Sequence, residues 1–532
     1  MPRVKPLFPV VATPQVVPFL PSFSEATSAP KPELWEFTQA TEAAEVPARH
    51  YANKLRPSLP WMDAAKVQFV VVRNALGCVL VAMVTNACFY SGNVFSLRPS
   101  CHQSRGELIM ATLLWSTLSY CFIILVAHLP SMMNLQFIAS PDRPPGLWFC
   151  AKKLLRGSGP YFIATLGLML GLGLLVINTT LLTTLFPFKL HYYLGDLVNL
   201  VYTAGLTLVA RRIYYQETCQ GRERLGGLQN PRKIHQSPAA SYRPPSIWQQ
   251  YVINFPKTLP VALAGGYVQL VSDQRLLERG TIAIASFTVF SVVLKLALQE
   301  ATRWYVLKHH VRSIRSMCVL VGVPTVLLDT QARIVMLGTQ SNQVVVAGTF
   351  GMAVAEVALR AAKAAFVKWH VRHREEAVEL EAQQLAVQSC GPALETEVAS
   401  LRMKFKLWQQ QVLAFHSAEL TADMYAEYIA IGCSQSILFW YAGHAFYPTL
   451  QLGGDAGDAV SGTKAAWWRF TQVAMLGFQF AVEIGVDYVC VALEMAAGLP
   501  FDHLHDLGAF LAALFMTLAV LNINISATIY LT

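Results

Sequence analysis

Six polar side chains occupy one face of an apolar segment near the C-terminus. The segment 469–494 is long enough to cross a bilayer, since about 20 residues suffice. At about 100° per residue the six fall within roughly 80° of one another. They are Gln472, Gln479, Glu483, Asp487, Cys490 and Glu494. Ionised groups at membrane depth are costly and mark ion pathways or polar bundle interiors. We therefore predict that Glu483 and Asp487 are the central carboxylates of an ion or proton path. Gln479 would lie beside them, and Glu494 at the membrane interface.

A second acidic stripe lies further upstream. His416, Glu419, Asp423 and Glu427 recur at helical spacing and fall within roughly 80° on a helical wheel. Two adjacent helices with acidic stripes can line one hydrated path. We therefore predict that Glu427 and Asp423 face the first stripe, whereas His416 and Glu419 lie at the membrane boundary.

A metal site is an alternative for this second stripe. Carboxylate-bridged metal sites in helical bundles use Glu-x-x-His motifs on paired helices. Here His416 precedes Glu419, so the order is reversed, and no second copy of the motif is present. His416 and Glu419 are kept as candidate metal ligands, and no cofactor is predicted.

Two acid–base pairs are spaced four residues apart inside predicted spans. Asp329 and Arg333 form one pair, and Glu356 and Arg360 form the other. Pairing at this spacing on a helix reduces the cost of burying each charge. We predict two local ion pairs that could act as gates. Three further basic residues are expected to extend toward a membrane interface: Arg73, Lys295 and Lys363.

The composition indicates the class of protein that holds these residues. The chain has 532 residues, of which 54% are hydrophobic and 14% are charged, and its mean hydropathy is +0.40. Soluble domains carry about 25% charged residues. The long apolar runs do not alternate as the strands of a membrane β-barrel do. We predict an all-α, polytopic transmembrane helical bundle.

About eleven spans can be identified from the apolar runs. Their approximate limits are 67–91, 107–128, 160–186, 191–211, 257–272, 280–299, 317–338, 343–366, 420–445, 469–494 and 507–530. The fifth is short and contains Pro260 and a Gly pair, so either a crossing or a re-entrant segment is compatible with it. Basic residues concentrate in the loops on one side if the N-terminus is cytoplasmic. The plasma membrane and the endomembranes both fit this topology.

The predicted organisation has four parts. Residues 1–65 are Pro-rich and are expected to form a disordered cytoplasmic tail. Residues 66–366 hold spans 1–8, with a flexible cytoplasmic loop at 212–256. Residues 367–419 look like a cytoplasmic helical hairpin, and residues 420–532 hold spans 9–11 with the acidic stripes.

Rows of small residues at spacing four predict close helix crossings. Three such rows occur: Gly167 and Gly171; Ala347, Gly351 and Ala355; and Gly477, Ala481 and Gly485.

These patterns favour a transporter or channel-like membrane protein that moves protons or small cations, or a solute coupled to them. The net charge of +9 is explained by basic loops, so a nucleic-acid partner is not expected. The chain has no P-loop, GxSxG or HExxH motif. Two alternatives stay open: a membrane-embedded, metal-dependent enzyme using His416, Glu419, Asp423 and Glu483, and a non-catalytic structural or receptor-like protein. The expected partners are the lipid bilayer, a small ion or solute, and a second copy or another membrane protein.

Overall fold

The computed structural model describes residues 60–140, 143–179, 186–226, 244–274, 281–309, 311, 313–337, 342–388, 392–450, 463–498, 501 and 503–531. Within these ranges the chain is all-α, with thirteen α-helices and no strand. The all-α part of the predicted fold class is therefore confirmed. The predicted tail lies outside the described residues, except that helix α1 already begins at Pro60.

The helices follow one another in this order: α1 Pro60–Ser91, α2 Arg105–Met133, α3 Leu147–Asn178, α4 Leu190–Glu217, α5 Cys219–Gly226, α6 Ile247–Asn254, α7 Leu259–Asp273, α8 Thr281–Lys308, α9 Ile314–Leu337, α10 Asn342–Gln388, α11 Pro392–Tyr441, α12 Thr463–Ala496 and α13 His503–Ile529. Among them, eight are long and apolar enough to cross a membrane, namely α1–α4, α8, α9, α12 and α13. The predicted count of eleven is not confirmed by this measure, because α7, α10 and α11 are not among the eight.

The fifth predicted span is longer than its apolar run. Helix α6 begins at a capping box in which Ser246 and Gln249 satisfy each other's backbone N–H groups. A 3₁₀ turn, Phe255–Thr258, then joins α6 to α7. Residues 247–273 thus form one helical rod with a short tightened section at Pro256. This differs from the predicted loop, since α4 extends to Glu217 and α5 and α6 are helical; residues 227–243 lie outside the described part.

Helix α11 is the centre of the bundle. It packs against α1, α9, α12 and α13, and its residues 415–438 are buried throughout. The Tyr425 ring stacks on Phe515 of α13, with 4.7 Å between centroids. A Cβ on Gly432 would lie 2.4 Å from Val79 Cγ1, so glycine permits the close approach of α1. The stretch of α11 that carries Glu419, Asp423 and Glu427 is therefore enclosed by protein on all sides.

The glycines of the predicted small-residue rows do not lie at close helix crossings. A Cβ added to Gly171, Gly351, Gly477 or Gly485 would meet no atom of the described residues within 4 Å. These positions are on outward-facing helix surfaces. Spacing alone cannot say which face of a helix is buried, since Gly432, which makes the close contact with α1, is followed by Ser436 at the same spacing.

Helices α10 and α11 are 47 and 50 residues long, so both exceed the thickness of a bilayer. Their outer halves run side by side. An Arg402 nitrogen lies 3.1 Å from a Glu379 oxygen, and the rings of His370 and Trp408 are 5.3 Å apart. This antiparallel pair occupies the segment predicted as a hairpin, and we call the end of the bundle from which it projects the hairpin end.

Candidate functional site

Twelve ionisable side chains from helices α8–α12 form one buried cluster, which we call the charge network. Eight are acids and four are bases. The acids are Asp329, Glu356, Glu419, Asp423, Glu427, Glu483, Asp487 and Glu494. The bases are Lys295, Arg333, Arg360 and Lys363. Their side chains are at most 19% exposed, so the charges must compensate one another.

A ladder of alternating acids and bases follows α11. Glu419, Asp423 and Glu427 are one helical turn apart. Lys363 Nζ lies 2.8 Å from Glu419 and 3.9 Å from Asp423. Lys295 Nζ lies 3.8 Å from Asp423 and 3.5 Å from Glu427. Each lysine therefore bridges two successive carboxylates of α11.

The two lysines of the ladder do not extend to an interface, which corrects the prediction for Lys295 and Lys363. Lys295 lies near the middle of α8 and donates to Asp329 at 2.8 Å. Gln299 links the two sides of the ladder. Its amide nitrogen donates to Asp423 at 2.7 Å, and its carbonyl oxygen accepts from Lys363 at 2.8 Å. Carboxylates of α9 and α11 lie within hydrogen-bonding distance of the two ammonium groups, so neither lysine has to reach the membrane surface for a partner.

Arg360 ties α10 to α12. Its Nη1 lies 2.5 Å from Asp487, and its Nε and Nη2 donate to the two oxygens of Glu494 at 3.1 Å. Such two-point binding suits the planar guanidinium. Glu494 is 3% exposed, so it is buried between helices, and its predicted position at the membrane interface stays a prediction.

One of the two predicted gate pairs is present. Glu356 and Arg360 lie 3.5 Å apart. The prediction of an Asp329–Arg333 pair is wrong, because Asp329 binds Lys295 and Arg333 Nη2 lies 3.8 Å from Glu483. A spacing of four residues allows a local pair on a helix. Neighbouring helices nevertheless supply Asp329, Arg333 and Arg360 with other partners.

Three carboxyl groups meet at the centre of the network, and we call them the carboxylate triad. Glu356, Glu427 and Glu483 each place one oxygen within 4.8 Å of the others. Each has one base at 3.5–3.8 Å, which is longer than the 2.7–2.9 Å of a strong charged hydrogen bond.

Two of the three bases near the triad, Lys295 and Arg360, have closer partners outside it. Lys295 is closer to Asp329 at 2.8 Å, and Arg360 is closer to Asp487 at 2.5 Å. Glu427 Oε2 and Glu483 Oε1 are buried and form no hydrogen bond with the described residues. Adjacent carboxylates resist joint ionisation, so the triad requires a proton or a cation between its members.

The predicted path residues are distributed over this network. Glu483 and Glu427 are in the triad, Asp423 is in the ladder, and Asp487 binds Arg360. Gln479 is buried one turn from Glu483, outside the ion pairs. The two helices predicted to face each other do so, because Tyr428 of α11 stacks on Phe480 of α12.

The candidate metal pair is not assembled into a ligand set. His416 Nδ1 lies 3.9 Å from Glu419 on the same helix, and Glu419 is held by Lys363. In the described ranges, the group whose oxygens could reach one ion is the triad. Its all-oxygen donors suit a hard cation.

The sequence reasoning missed that Lys295, Lys363 and Glu494 belong to the charge network. It also missed that Gln299 links Asp423 to Lys363. One signal was available for Lys295. It lies near the middle of α8, about 14 residues or 20 Å from either end, which is too deep for a lysine to reach water easily.

The chain matches no protein-family model, no curated protein and no solved structure. The geometry of the network is therefore the basis for the functional interpretation.

Proposed function

We propose that this protein is an integral membrane transporter or channel-like protein that moves protons or small cations, or a solute coupled to them. The observation that carries the proposal is the carboxylate triad. Three acids whose side chains are at most 16% exposed share one centre, while the closest contacts of Lys295 and Arg360 go to other acids.

The excess of acids over bases in the charge network favours the binding of protons or cations at the triad. Eight acids and four bases would leave a net charge of minus four if all were ionised. An uncompensated charge in a low-dielectric interior costs several kcal/mol or more. Protons or cations bound at the triad remove this cost, and their release restores it.

The ladder on α11 provides a route to the triad from the hairpin end. Glu419 lies nearest that end, and Asp423 and Glu427 follow at successive turns, spanning roughly 12 Å. The intervening lysines lower the cost of an ionised carboxylate at each step. A proton or cation can therefore be handed along without a fully unpaired charge.

Eleven crossings with a cytoplasmic N-terminus are part of the proposal. The rod over 247–273 supplies a fifth crossing, and the inner halves of α10 and α11 supply two more. With this count, four of the six exposed tryptophans of the described residues lie within four residues of helix ends on the side of the hairpin end: Trp61, Trp148, Trp248 and Trp304. Exposed tryptophans concentrate at membrane–water interfaces. The plasma membrane and the endomembranes both fit.

Flux through reconstituted vesicles tests the proposal. A pH-sensitive dye and a panel of cation indicators would be followed in vesicles holding the wild type, Glu483→Gln or Glu376→Gln. Glu376 is an exposed acid of α10 and serves as the matched control. We expect Glu483→Gln to abolish flux and Glu376→Gln to retain it. Equal flux from the wild type and Glu483→Gln would exclude the triad as the transport site.

The same triad also supports the enzyme alternative, because three carboxylates within 4.8 Å can hold a catalytic metal ion. Metal analysis of the purified protein separates the two functions. Stoichiometric iron, manganese or zinc that is lost in Glu427→Gln would favour the enzyme. A metal-free protein that still supports flux would exclude it.

A further inference from the structure

Two buried amides lie beyond the triad. Gln435 of α11 and Gln479 of α12 are 3% and 1% exposed. Neither the nitrogen nor the oxygen of either amide forms a hydrogen bond with the described residues. Burying an amide in an apolar environment without a partner costs several kcal/mol, and the bilayer core supplies no water to a helix surface.

The two amides lie on the same stretch of the α11–α12 interface. Tyr428 stacks on Phe480 at one end of that stretch, and Met475 packs against the cluster formed by Leu438 and Leu337 at the other. Along each helix the glutamine falls between these contact residues. At about 100° per residue it also falls between them on the helical wheel. Gln435 and Gln479 therefore point into the same interface.

This interface continues the path away from the hairpin end. Gln479 precedes Glu483 by one turn, or about 6 Å along α12. The network lies on the other side, where Glu419 and Glu494 are nearest the hairpin end. The acids of the path thus end at the triad, where Arg333 contacts Glu483, and neutral amides follow on α11 and α12.

We propose that Gln435 and Gln479 form an uncharged polar segment that binds water and carries protons between the triad and the far side of the membrane. This inference rests on the proposed function and specifies its substrate. Two amides offer one carbonyl oxygen each, whereas a small metal cation requires six or more oxygen ligands. Water satisfies both the donors and the acceptors of the amides and lets protons pass.

Hydration of the segment is measured without reference to transport. Hydroxyl-radical footprinting labels buried aromatic rings that lie beside water. The Tyr428–Phe480 stack borders Gln479. The buried Tyr425–Phe515 stack lies about one turn nearer the hairpin end, packs against α13 instead of α12, and serves as the control. We expect labelling of the first stack only, and its loss in the double variant Gln435→Leu/Gln479→Leu.

Proton flux in vesicles is the second readout. We expect the double variant to lower flux at least tenfold while the fold is retained. The matched control is Gln331→Leu: Gln331 is equally buried, but it donates to Ser526 and accepts from Tyr530. The Gln331→Leu variant should be less stable than the wild type and should retain proton flux.

The two readouts separate the inference from the function on which it rests. Labelling of Tyr428 and Phe480 without any proton or cation flux in the wild type would overturn the transport function and the proton-carrying role, leaving only bound water. Flux with an unlabelled stack, or flux unchanged in the double variant, would overturn the water-filled segment and leave the triad function standing.

Discussion

Arg360 Nη1 and Asp487 Oδ1 lie 2.5 Å apart, with side chains 5% and 0% exposed. This pair joins α10 to α12 inside the bundle. The rest of the guanidinium binds Glu494 at two points. Helix α10 packs against α11 and α12, so the ion pairs are a major part of what holds it.

Removing Arg360 should destabilise the protein severely. Arg360→Met leaves Asp487 and Glu494 buried without their cation, and breaking a buried pair in this way costs about 3–5 kcal/mol. Thermal unfolding in detergent measures the loss. Arg372→Met is the control, because Arg372 forms an exposed pair with Glu376 and should cost under about 1 kcal/mol. Similar melting temperatures for the two variants would contradict the buried pair.

Lys295 and Asp329 should be energetically coupled across α8 and α9. Lys295→Met removes the cation that contacts Asp329, Asp423 and Glu427. Asp329→Asn removes the closest of these acids. We expect the double variant to be more stable than the two single losses predict, with a coupling free energy of about 1–3 kcal/mol. Additive losses in thermal unfolding would show that the 2.8 Å contact contributes nothing specific.

Gly432 should not tolerate a side chain. In Gly432→Ala the new Cβ would lie 2.4–3.0 Å from three atoms of Val79, and overpacking of this kind costs about 1–3 kcal/mol. Gly351→Ala is the matched control, since nothing in the described residues lies within 4 Å of its Cβ. Alanine there should be neutral or stabilising by up to about 1 kcal/mol. If Gly432→Ala melts no lower than Gly351→Ala, α1 and α11 are not packed this closely.

Two native cysteines should report opposite sides of the membrane. Cys101 is exposed in the connection between α1 and α2, and Cys219 is partly exposed at the start of α5. In the proposed topology an odd number of crossings separates them. In sealed vesicles of one orientation, a membrane-impermeant maleimide should label only one of Cys101 and Cys219, and the other only after permeabilisation, as read by mass spectrometry. Labelling of both from the same side would contradict the crossing pattern.

The sequence predicted which residues would be buried acids, because a carboxylate in a long apolar run can avoid lipid only by facing other helices. Glu427 and Glu483 were identified in this way, and the structure places them together. The helical spacing also predicted the Glu356–Arg360 contact, since residues four apart on a helix are neighbours whatever surrounds them.

The pairing between helices could not be predicted from spacing. Arg333 contacts Glu483 and not Asp329, and Lys295 binds acids on α9 and α11 rather than extending to the interface. The same limit applies to Gly477 and Gly485, whose row is on an outward-facing surface. Which face of a helix is buried depends on its neighbours.

The sequence by itself determined the helical, apolar class of the chain and the polar faces of its helices, because both follow from composition and a repeat of about 3.6 residues. Only the tertiary structure decided that α11 is the central helix, that Glu356 completes the triad, and that Lys295 and Arg360 bind other acids more closely. The reason is physical. A charge inside a bundle selects the nearest opposite charge in space, and that distance is set by how the helices pack.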